Sequence, residues 1–101
     1  MIKHIVMFKL KENAEGNTKE VNALLMKERL EKLKDVIAEI RHIETGVNIV
    51  NDPAAFDISL YTVFDNEADL DNYQRHDAHQ EVVAFIRKVI EKRVVVDYIV
   101  N

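Results

Sequence analysis

Apolar and polar residues alternate from the second residue onward. In IKHIVMFKL, residues 2–10, Ile2, His4, Val6, Phe8 and Leu10 fall on one side and Ile5 and Met7 on the other. A period of two is that of a strand, whose successive side chains point to opposite faces. Residues 42–50 (HIETGVNIV) alternate again, with Ile43, Val47 and Ile49 together, and residues 57–64 (DISLYTVF) read as a third strand. The last strand, RVVVDYIV, is apolar on both faces: Val94, Val96, Tyr98 and Val100 on one, Val95 and Ile99 on the other. Between the first two strands the period lengthens. Val21, Leu25, Leu30, Leu33, Val36, Ile37 and Ile40 form a stripe at helical spacing. They predict a long helix from an Asn17–Glu20 capping box to about Ile40. Its polar face carries a favourable Glu28–Lys32 pair and an unfavourable Glu31–Asp35 pair.

A short helix is expected after Asp65 or Asn66, with Glu67 and Asp69 near its positive end. A fresh helix starts at Asp77, which with Gln80 resembles a second capping box. Its stripe is Val82, Phe85, Ile86 and Ile90. The loops ENAEGN and NDPAAFD carry turn residues. The order is β-α-β-β-α-β, with the second helix broken near residues 74–76. A strand–helix–strand unit runs its two strands parallel with a right-handed crossover, and a short loop joins the second and third strands antiparallel. The fold class is therefore α+β. The expected architecture is a ferredoxin-like sandwich over residues 1–101 as one domain, a four-stranded antiparallel sheet with both helices on one face.

That arrangement leaves one sheet face bare, with Ile5 and Met7 on it. The doubly apolar last strand invites pairing with another chain. A homodimer through the open sheet face, a dimeric α/β barrel, is the expected assembly.

Composition narrows the function. The chain has 101 residues, a formal net charge of −4 and no basic stripe of the kind nucleic-acid binders show. No apolar run reaches the roughly 20 residues a membrane helix needs. The first ten residues lack a signal-peptide core, so a cytoplasmic location is the default expectation. There is no cysteine, hence no thiolate nucleophile. Two glycines cannot build a phosphate loop, and no cofactor is expected.

The chemistry concentrates in NYQRHDAHQEV, residues 72–82. His76 and His79 are three apart, a spacing that suits a metal on one helix face. A helix break separates them, however, and no third ligand is placed beside them, so no metal site is expected. His42 has no companion and reads as a surface residue. His79 lies in the first turn of a helix, where positive potential favours neutral imidazole, while Asp77 pushes the other way. A neutral His79 could take a carbon-bound proton while the Tyr73 phenol donates to the developing enolate. Tyr73 also reads as an amphipathic core-edge residue, and His4 as a core histidine on an apolar strand face.

Several segments carry a resemblance: IKHIVMFKLKE at the start, the glycine in IETGVNI, FDISLYTVFDNEADLDNYQRHDAH, and the closing VVDYI. Together they resemble the stress-responsive dimeric α/β-barrel family, which includes heat-stable plant proteins and the plant cyclase that makes olivetolic acid. The resemblance covers nearly the whole chain and implies the same dimeric barrel. In the cyclase branch a histidine and a tyrosine of the second helical region act on a polyketide chain, with a first-strand histidine beside the cavity. By position these resemble His79, Tyr73 and His4. The family's His-Pro-x-His is here His76-Asp77-Ala78-His79, and the long helix lacks the cyclase's cavity aromatics.

Two readings remain open. In one, a small dimeric barrel binds a small apolar ligand without efficient catalysis. In the other, a cofactor-independent enzyme uses His79 and Tyr73, supported by His4. An apolar pocket on which His4, Tyr73 and His79 converge would favour the second.

Overall fold

A computed structural model describes all 101 residues. Strand β1 (Ile2–Leu10) leads into a small hairpin, β2 (Asn13–Ala14) and β3 (Asn17–Thr18), whose turn holds Glu15 and Gly16 at positive φ. Helix α1 (Lys19–Glu31) follows, and a 3-10 turn (Lys32–Asp35) extends it. Then come β4 (His42–Val47), β5 (Ile58–Phe64), α2 (Glu67–Arg75), α3 (Asp77–Val89) and β6 (Ile90–Ile99). The four long strands form one sheet in the order β4-β5-β1-β6, with every neighbouring pair antiparallel. Strands β1 and β4 do run in the same direction, as the crossover requires, but β5 lies between them. The expected α+β ferredoxin-like sandwich is the observed one.

The alternation in β1 places its faces as read. Ile2, His4, Val6, Phe8 and Leu10 are buried under the helices, while Met7 on the other face is 44% exposed. From α1 and the segment after it, Ala23, Met26, Leu30, Leu33, Ile37 and Ile40 enter the core. The stripe is thus rotated from the expected one, because Leu30, Leu33, Ile37 and Ile40 extend back in regular steps of three and four to Met26 and Ala23. Val21 is turned outward, Leu25 is half-buried, and Val36 is exposed beyond the 3-10 turn. The regular helix also stops at Glu31 rather than near Ile40. Its N-cap is Thr18, whose hydroxyl accepts from the Val21 amide, so the expected Asn17 cap is one residue early.

Helix α3 buries Val82, Ile86 and Val89, and Phe85 packs its ring under the Arg29 guanidinium of α1, 3.9 Å away. Strand β4 ends at Val47, and Ile49 stands in solvent. Strand β6 is an edge strand, and Val94, Val96 and Tyr98 lie with Ile5, Met7 and Lys3 on the open face of the sheet. His42 is not isolated on that side of the sheet, since its ring lies 5.6 Å from that of Tyr61. No helix is long and apolar enough to cross a membrane.

Candidate functional site

His4 reaches the core because strand alternation turns it there, and its polarity is met from the neighbouring strand. The register sets His4 opposite Asp97 of β6, and the imidazole Nδ1–H donates to the Asp97 carboxylate. A carboxylate can only accept, so the pair fixes Nδ1 as a hydrogen-bearing nitrogen of the His4 ring. Asp97 is the one charged residue in an otherwise apolar run, Val94 to Val100.

Helix α2 begins at Asn66, whose side chain accepts from the Asp69 amide at 2.8 Å. From that start Tyr73 falls on the inner face and is wholly buried. Its ring lies 4.9 Å from that of Phe64 and 4.3 Å from that of His79, and meets His4 edge-on at 6.3 Å. The Tyr73 hydroxyl is buried without a hydrogen-bond partner. Burial pushes its pKa well above the ordinary phenol value, so it stays protonated and able to donate.

The joint between α2 and α3 is a single extended residue, His76. Its Nδ1 accepts from the Ala78 amide at 3.0 Å, so His76 is the cap and Asp77 is the first helical residue. That corrects the expected Asp77 cap. A side-chain acceptor at the residue before the helix is what the orphan amides require, and here the imidazole supplies it. Asp77 still contributes as an anion in the first turn.

His79 follows in that same turn, with its Nδ1–H donating to the Gln74 carbonyl at 3.2 Å. Nε2 therefore carries the lone pair. Burial lowers the His79 pKa below its ordinary 6.5. The Gln74 bond opposes this shift, while the positive charge of nearby Arg93 and the other imidazoles reinforces it. The direction of the shift, which the sequence left open, is thus toward neutral imidazole. His76 and His79 each bond to backbone, and no three metal-ligating side chains converge anywhere in the chain.

A cavity of about 210 Å³ lies between the helix-facing side of the sheet and α1 and α3. Val6, Phe8, Leu30, Leu60, Val83 and Ile86 give it apolar walls, and His4 and His79 both border it. Ile90, Gln74, Gln80, Arg87 and Arg93 complete the lining, the last three being exposed. Of the three expected site residues, His4 and His79 face this cavity. Tyr73 joins them in one aromatic cluster but stands behind His79 rather than in the lining. Asp97, Gln74, Arg87 and Arg93 were missed by sequence reasoning. A signal existed only for Asp97, as a lone carboxylate in an apolar strand.

Fold and site together define a ferredoxin-like α+β protein with a histidine-bordered cavity under its helices. The chain belongs to the stress responsive A/B barrel domain family, whose model matches residues 2–100. It is 33% identical over 88 residues to an uncharacterised protein of Streptomyces coelicolor, a match covering 87% of this chain and 89% of that one. A dimeric protein of unknown function with a ferredoxin-like fold from Bacteroides fragilis is 37% identical, with a TM-score of 0.84 over 96% of this chain and 93% of that one. The hydroxynitrile lyase of Passiflora edulis is 21% identical, with a TM-score of 0.81 over 99% and 93% of the two chains, and shares the fold.

Proposed function

We propose that this chain is a homodimeric small-molecule-binding protein whose ligand places an apolar body in the cavity beneath α3. The observation that carries the reading is the cavity itself, apolar in its walls and bordered by two imidazoles. An apolar cavity of roughly 150 Å³ is enough to hold benzene. At about 210 Å³ the site admits one ring or a short chain with a functional group. The dimeric part of the reading draws on the Bacteroides fragilis protein and on the apolar strip formed by Ile5, Met7, Val94 and Val96 on the open sheet face. The test is native mass spectrometry with 2-phenylethanol as probe. One probe per chain is expected on the native protein and none on Val83→Trp, which fills the cavity. Equal binding by both would refute the reading.

A second reading adds chemistry, and the bare Nε2 of a desolvated His79 favours it. His79 would accept a proton from an acidic carbon of the bound molecule, leaving the C–H electron pair as an enolate. Tyr73, sealed behind His79 and outside the lining, would support the base by ring contact, and His4, held by Asp97, would border the enolate from the strand side. Reversal returns the proton to carbon. Exchange of α-hydrogens of phenylacetone in deuterium oxide, followed by NMR, tests this. Faster exchange with native protein than with His79→Gln is expected, and equal rates exclude catalysis at His79 on this probe.

A further inference from the structure

Two guanidinium groups in the cavity lining have no carboxylate partner. Arg87 comes from the last turn of α3, and Arg93 comes from β6, opposite Phe8 on the helix-facing side of the sheet. The chain's eight ion pairs engage Arg41 and Arg75 but neither of these. Asp97, on the same face of β6 as Arg93, is already held by His4. A single unpaired surface arginine is ordinary. Two from different elements border one cavity whose other lining is apolar, imidazole and the neutral amides of Gln74 and Gln80, with no carboxylate among them. The two guanidinium groups make a local excess of positive charge there that the packing of the fold does not require. Their planar donor forks suit the paired oxygens of a carboxylate or phosphate. They lie on the helix side, away from the open sheet face through which the dimer is proposed to form.

We propose that the cavity's ligand is a small organic oxyanion. Its apolar body rests on Val6, Phe8 and Leu30, and its carboxylate or phosphate is held by Arg87 and Arg93. The inference rests on the cavity-binding reading and adds the head group to it. It also orients the ligand, with the tail between sheet and helix and the charged end at the exposed rim.

Calorimetric titration at low salt with phenylacetate, phenyl phosphate and 2-phenylethanol tests it. At least one anion is expected to bind the native protein roughly tenfold more tightly than the alcohol, the strength of a single hydrogen bond to a charged group. The anion with the larger gain identifies the head group. Arg87→Gln and Arg93→Gln should each lose several-fold on that anion, and the double variant should lose the preference altogether. The alcohol, which carries no charge, should lose far less than the anion in all three variants, which separates loss of the head-group contact from loss of the site. If the alcohol binds as tightly as both anions, or the anion preference survives in the double variant, the head-group assignment is overturned while the cavity reading stands. If none of the three probes binds the native protein, both fall.

Discussion

Tyr73 and His79 are in ring contact, yet burial acts on them in different ways. The Tyr73 hydroxyl is sealed in without a partner, which costs on the order of 1–3 kcal/mol for such a group. Tyr73→Phe keeps the ring against Phe64 and His79 and removes the orphan. It should stabilise the free protein by about 1 kcal/mol in urea unfolding. A loss of stability would mean that the hydroxyl is satisfied in solution. For His79 the folded pKa lies below the unfolded value of 6.5. The unfolded chain therefore takes up the proton first as pH falls. Stability declines from about pH 6.5 downward until the folded value is passed. The lowered carboxylates Glu28, Glu31 and Asp65 lose their contributions only at lower pH, below their unfolded values of 4.5, 4.5 and 3.8. Urea midpoints at pH 7 and 5 should converge in His79→Gln relative to the native protein. An unchanged slope would place the titration elsewhere. His4 was legible at this scale because strand alternation alone turns it inward. Asp97 was not, since a partner 93 residues away leaves no local periodic trace.

At the scale of elements, the joint between α2 and α3 positions the site. One extended residue ends the first helix and caps the second, and this brings His79 back over Tyr73. Sequence reasoning found the joint and missed its cap, because Asp77 with Gln80 imitates a capping box one residue too late. Histidine is an uncommon cap, and only the bond from the Ala78 amide to its Nδ1 identifies it. His76→Ala should cost about 1 kcal/mol, and His76→Ser should recover most of it. Asp77→Ala, which removes only a favourable charge in the first turn, should cost less, about 0.5 kcal/mol. Thermal melts of the three variants check the ranking, and a larger loss for Asp77→Ala than for His76→Ala would contradict it. The end of α1 was illegible for a related reason. Lys32 to Asp35 are acceptable helix residues, but the chain tightens to 3-10 there. Leu33, Ile37 and Ile40 all reach the core, while Val36 turns out. That preference belongs to tertiary packing and not to local propensity.

For the whole molecule, the sheet separates two tasks. Its helix side holds the core, the cavity and the imidazoles, and its open side carries a strip of Ile5, Met7, Val94 and Val96. The strip was readable from strand period and from an apolar last strand. The cavity was not, because a void depends on how α1 and α3 pack over the sheet. Val96→Asp places a charge in the strip and should halve the mass observed by sedimentation velocity, with the cavity unaffected. A native protein that already sediments as a monomer would remove the dimer from this account. The central claim concerns the other side, and methyl NMR during titration with 2-phenylethanol tests it most directly. Saturable shifts are expected at the methyls of Val6, Leu30, Leu60, Val83 and Ile86, with Val94 and Val96 unmoved. Shifts confined to Val94 and Val96, or no saturable shift at any cavity methyl, would contradict the claim that the ligand site lies between sheet and helices.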